Sequence, residues 1–215
     1  HLKKIFLTLI GLSCLIPIQA QQKFKKEVDD IQKKYESKWD DSKPTIVFTG
    51  SSSIRMWKDV QQKFPEYQIV NTGFGGSQTS DLLYYVYDLI YRYHPTKVFI
   101  YEGDNDIASG KSADVIMAEM EELVRRINEF DPSMEIVLIS PKPSIARWDQ
   151  RGKYQRLNKR LKLWADETPK LQYVDVWDVM VDQNKLNRDL FLEDGLHMNA
   201  KGYAIWQNAI KAYVN

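Results

Sequence analysis

Thr45-Ile46-Val47-Phe48-Thr49-Gly50-Ser51-Ser52-Ser53-Ile54, residues 45–54, begins as a β-branched run and breaks at a glycine followed by three serines. Comparable runs recur at 68–71, 97–101, 135–140 and 171–176. β-Branched and aromatic side chains suit strands, so five strands are expected. Helical patterns separate them. Ile116, Met120, Leu123 and Ile127 form one apolar stripe, and Tyr154, Leu157, Leu161 and Trp164 a second. Tyr203, Trp206, Ile210 and Tyr213 form a third, and the cap-type residues Thr79, Ser80 and Asp81 precede a helix expected over 82–93. Strands alternating with helices pair in parallel through crossovers. The expected fold class is α/β, a doubly wound three-layer α/β/α sandwich around a five-stranded parallel sheet, with flavodoxin-like layering.

Outward from this core, residues 21–39 carry Phe24, Val28, Ile31 and Tyr35 at spacings of three and four. That spacing predicts an amphipathic helix packed on the outside of the domain. Residues 1–20 read differently. Lys3 and Lys4 precede a short apolar run, Pro17 breaks it, and Ala20 offers a small residue for cleavage. This is the layout of a secretory signal peptide, too short for a comfortable membrane span. Export to the periplasm or medium is therefore expected, with residues 21–215 forming one domain and no stable membrane insertion once the leader is removed.

Charge and cysteine content narrow the chemistry. The leader takes two lysines and no acid from a chain of 30 basic and 29 acidic residues, leaving it near neutral. No long block of like charge occurs, which argues against a nucleic-acid partner. The only cysteine is Cys14, inside the leader, so neither a disulfide nor a thiol nucleophile is expected in residues 21–215.

In doubly wound folds ligands bind beyond the carboxyl ends of the strands. The first run ends in Gly50-Ser51-Ser52-Ser53, and the second in Asn71-Thr72-Gly73-Phe74-Gly75-Gly76-Ser77. The third ends in Glu102-Gly103-Asp104-Asn105-Asp106, and the loop before the last helix reads Glu193-Asp194-Gly195-Leu196-His197. A serine hydroxyl attacks an ester only when a neighbouring base takes its proton, and histidine suits that task near neutral pH. His94 lies at the opposite edge of the sheet, which leaves His197 as the base. Asp194, three residues earlier, is spaced to hold one imidazole nitrogen and leave the other facing a serine. Taken alone, an Asp-x-x-His run also fits an acidic turn with a capping histidine.

These four blocks, in this order from about residue 45 onward, resemble those of the SGNH/GDSL hydrolases, which include lipase-like acylhydrolases and platelet-activating-factor acetylhydrolase-like proteins. The resemblance implies a serine esterase that uses an acyl-enzyme and no metal or other cofactor. It assigns Ser52 as nucleophile with Asp194 and His197. It also implies an oxyanion hole formed by the Ser52 and Gly76 backbone N–H groups and the Asn105 side-chain amide. Gly50-Ser51-Ser52-Ser53 departs from the family's Gly-Asp-Ser-Leu at Ser51. Ser51, Ser53 and Ser77 stay open as alternative nucleophiles, Ser77 because it sits between a strand and a helix. Arg147 and Trp148, after the fourth strand, are expected to line the substrate pocket. The expected substrate is a small-molecule or glycan ester with a short acyl group, acetyl above all. The other reading is a non-catalytic carbohydrate-binding or interaction module on the same fold.

Overall fold

The computed structural model describes residues 23–183 and 185–215; the expected leader lies outside them. Five parallel strands form the central sheet: β1 (Thr45–Gly50), β2 (Gln68–Asn71), β3 (Lys97–Tyr101), β4 (Glu135–Ile139) and β5 (Leu171–Val174). Their order is β2-β1-β3-β4-β5. The chain passes from β1 outward to β2 and then returns across β1 to β3. The direction of winding therefore reverses between β1 and β3, where a doubly wound sheet opens a crevice for ligands. The fold class is the expected one.

Alternation along the strands sends side chains to two separate cores. Val47, Val70, Val98, Ile100, Ile136 and Leu138 join the first. Against it pack α1 (Lys25–Tyr35), α4 (Thr79–Tyr84), α5 (Val86–Leu89), α7 (Ala113–Phe130) and α8 (Arg151–Glu167). Ile46, Phe48, Phe99, Tyr101 and Val137 join the second, beneath α2 (Ser52–Arg55), α3 (Val60–Lys63) and α9 (Ala200–Ile210). Aromatic rings stack through this second core. Phe48 and Phe99 stack at 4.4 Å between centroids, and Trp57 meets both Tyr203 and Trp206. The short helix α6 (Asp104–Ala108) follows β3 directly.

Two local expectations change. The helix expected over 82–93 begins earlier, at Thr79, where Gln78 N–H donates to the Asp81 carboxylate at 2.9 Å. It then breaks into α4, α5 and a 3-10 turn at Tyr91–Tyr93. The run Tyr84-Tyr85-Val86-Tyr87 consists of residues with modest helix preference, so the backbone yields there to packing. A small antiparallel hairpin, β6 (Val181–Asp182) with β7 (Lys185–Leu186), was not foreseen; two-residue strands leave no periodic signal.

The carboxyl end of β1 lies tight against β3. Gly50 ends β1 with φ of 124°, and a Cβ there would stand 2.0 Å from the carbonyl oxygen of Tyr101. Gly110 also has a positive φ, 93°, but a Cβ there meets nothing within 4 Å. Gly110→Ala is expected to cost about 1–2 kcal/mol, the backbone penalty alone. Gly50→Ala adds a clash with backbone and is expected to exceed about 4 kcal/mol or abolish folding. Urea unfolding of the two variants checks this, and equal losses would show that the close approach is no constraint.

Candidate active site

The turn after β1 exposes one serine out of three. Ser51 is buried, with its N–H donating to the Tyr101 carbonyl at 3.1 Å. Ser53 is also buried, and its carbonyl accepts from the Tyr203 hydroxyl at 2.8 Å. Ser52 alone is partly exposed. Because Gly50 lies against β3, the hydroxyl of Ser52 stands at the switch point, beside the loop that carries Asn105.

The second component is a closed loop before α9. Phe191 and Met198 form an isolated antiparallel bridge, and Leu192 N–H donates to the His197 carbonyl at 2.8 Å. Within that loop Asp194 Oδ1 accepts from the N–H groups of Leu196 and His197, each at 2.9 Å. Asp194 Oδ2 lies 2.6 Å from His197 Nδ1, and His197 Nε2 lies 2.9 Å from Ser52 Oγ. A carboxylate at Nδ1 fixes the imidazole proton there and leaves Nε2 as an acceptor for the serine proton. Desolvation of Asp194 opposes ionisation. Hydrogen bonds from the His197 ring and from two backbone N–H groups outweigh it and hold the carboxyl down at about 2.

The third component is a set of donors. Gly76 has φ of 75° and no atom within 4 Å of where a Cβ would stand, so its backbone borders open space. Among the described residues no acceptor takes the N–H of Ser52 or of Gly76. Asn105 Nδ2 donates one hydrogen to the Ser77 carbonyl at 2.9 Å, which leaves its second hydrogen unused. The preceding Gly75 N–H is held by Glu27 Oε1 at 3.0 Å, and the same oxygen meets Arg55 at 3.2 Å. Helix α1 thus braces the glycine loop, a role that its surface-helix pattern did not announce.

The remaining residues fall outside this cluster. Ser77 is fully buried, its Oγ 2.6 Å from Glu102 Oε1 and 3.2 Å from the Phe74 carbonyl. Burial pushes the Glu102 carboxyl well above the usual range, with Asp106 nearby adding to the shift. Glu102 Oε2 has no partner, which suits a neutral acid better than an anion. Asp106 accepts from the N–H groups of Thr79 and Gly103 and so joins the second and third loops. His94 is exposed in a left-handed turn at the far edge, stacked on Phe130. Arg147 turns its guanidinium toward Asp104 and Asn105, and Trp148 stacks on Trp177 at 6.1 Å. The sequence assigns no role to Glu27, Asp104 or Lys142, although Asp104 stands in the third strand-end block. The one visible signal was a lysine between two prolines at the end of an apolar strand.

Comparison with known proteins bears on the family and the fold. The family model described as the GDSL-like Lipase/Acylhydrolase family matches residues 39–205. Platelet-activating factor acetylhydrolase IB subunit alpha2 of Gallus gallus is 24% identical over 171 residues, 76% of this chain and 73% of that protein. A Streptococcus pneumonia structure assigned as a platelet activating factor superposes with a TM-score of 0.77 at 27% identity, covering 92% of this chain and 98% of the other. A mutant of Axe2, an acetyl-xylooligosaccharide esterase from Geobacillus, superposes with a TM-score of 0.65 at 19% identity, covering 80% and 94%. A family match spanning most of the chain, on a sheet of this topology, establishes that the protein belongs to the GDSL-like lipase/acylhydrolase family of ester hydrolases.

Proposed function

We propose that this ester hydrolase is a secreted serine esterase that removes short acyl groups, acetyl above all, through an acyl-enzyme on Ser52. The observation that carries the reading is the unbroken chain from Asp194 Oδ2 through both ring nitrogens of His197 to Ser52 Oγ, in steps of 2.6 and 2.9 Å. Ser52 Oγ attacks the acyl carbon while His197 Nε2 takes its proton, and Asp194 stabilises the resulting imidazolium. The carbonyl oxygen becomes an oxyanion facing the Ser52 and Gly76 N–H groups and Asn105 Nδ2. Preset donors of this kind are each worth about 3 kcal/mol of barrier. Collapse expels the alcohol, which takes its proton from His197. Water, activated by the same nitrogen, then releases the acid and regenerates Ser52.

Short acyl specificity is supported by the likeness to Axe2, an acetyl-xylooligosaccharide esterase. Secretion rests on the leader pattern of residues 1–20. Among the described residues no helix is long and apolar enough to cross a membrane.

Three outcomes are expected. With p-nitrophenyl acetate, Ser52→Ala and His197→Ala each lose at least about 1,000-fold in kcat while circular dichroism stays native. Ser77→Ala keeps turnover, and its loss with an active Ser52→Ala would move the nucleophile. Inactivity of the wild type on every ester tried would favour the non-catalytic binding module.

Acyl chains from two to twelve carbons should give the highest kcat/KM at two to four, and a maximum at eight or more carbons would defeat the acetyl assignment.

The ionisation of Asp194 gives a further test. A carboxyl whose value is lowered to about 2 stays ionised through the working range, and its contribution is lost only as pH falls from about 4 to 2. Carbon NMR of the Asp194 carboxyl checks this, and a titration at pH 4 or above would overturn it.

A further inference from the structure

A buried ionic cluster centred on Asp104 lies behind the donors. Asp104 Oδ1 accepts from Arg147 Nη1 at 2.5 Å and from the Tyr154 hydroxyl at 2.6 Å. Its Oδ2 accepts from the Tyr101 hydroxyl at 2.9 Å and lies 3.9 Å from Lys142 Nζ. Lys142 is 1% exposed, and its ammonium donates to the Leu196 carbonyl at 2.7 Å, one residue before His197. Arg147 Nη2 meanwhile donates to Asn105 Oδ1 at 3.0 Å. Two cations therefore share one buried anion, at a desolvation cost that packing alone does not require. Burial would raise the Asp104 carboxyl, but Lys142 and Arg147 beside it outweigh that and hold it below its usual value.

We propose that Arg147 is a positioning residue of the oxyanion hole, acting on the substrate only through Asn105. The proposal rests on the esterase reading above. An asparagine amide has two nearly isosteric faces, and a flip would turn its carbonyl oxygen toward the developing oxyanion. Arg147 at Oδ1 and the Ser77 carbonyl at Nδ2 together forbid that flip, since it would set donor against donor and acceptor against acceptor. A cation on the amide oxygen also strengthens the N–H on the other side. Through Asp104 the same cluster reaches Lys142, which holds the backbone of the base loop. One buried anion thus sets the distance between the oxyanion donor and the base.

The test is a double-mutant cycle on p-nitrophenyl acetate, with kcat and KM resolved and thermal unfolding alongside. Arg147→Met is expected to lower kcat by about 10- to 100-fold with KM within about twofold, less than the about 100- to 1,000-fold for Asn105→Ala, which removes the donor itself. The double variant should match Asn105→Ala within about twofold, because Arg147 has nothing left to position. Additive losses in the cycle would overturn the proposal. So would a raised KM at unchanged kcat, the behaviour of a residue that binds substrate directly. If Arg147→Met does not fold, Arg147→Lys keeps a cation for Asp104 but lacks the fork that also reaches Asn105. It should fold and still lose kcat, and full kcat in it would equally overturn the proposal. Ser52→Ala measured in parallel separates the two levels: its retained activity would sink the esterase reading, whereas an inactive Ser52→Ala beside normal Arg147 variants sinks only this inference.

Discussion

The close approach of β1 to the end of β3 governs the geometry of the site. Gly50 leaves no room for a side chain against the Tyr101 carbonyl, and the same oxygen accepts the Ser51 N–H. Strand pairing thereby becomes a local turn, which buries two serines and presents the third. Because β1 and β3 are neighbours in the sheet although β2 separates them in sequence, the serine turn and the Asn105 loop lie side by side. The His197 loop is closed on itself by the Phe191–Met198 bridge and reaches the same point from the N-terminal end of α9.

Two carboxyls on the loop after β3 show how environment divides similar groups. Glu102 is enclosed with a serine hydroxyl and other acids nearby, and burial drives it toward the neutral form. Asp104, two residues on, is buried as deeply, but a lysine and an arginine accompany it and it stays ionised. Desolvation acts on both in the same direction, and the neighbouring charges decide the outcome. The segment after β3 thus carries buried polar groups that support the reacting side chains from behind. This is the rigid backing that a preorganised site requires.

Much of this was legible in the chain. The five strands, their parallel pairing and the apolar stripes on α7, α8 and α9 follow from periodicity, because burial on sheet and helix faces imposes periods of two and 3.6 on side-chain type. His197 stood out as a base because so few histidines are available and because a carboxylate sits three residues before it. The broken helix after Thr79 was less legible, since tyrosines and valine tolerate either continuation or a turn and packing makes the choice.

By itself, then, the sequence determined the fold class, the family and the residue types gathered at the strand ends. Which serine faces His197, why Ser77 is sealed against Glu102, and where Arg147 points were decided only by tertiary structure. The reason is physical: periodicity records which side chains are buried, but a hydrogen bond between residues 145 positions apart, such as that from Ser52 to His197, depends on strand order and loop closure. Neither leaves a local trace in the chain.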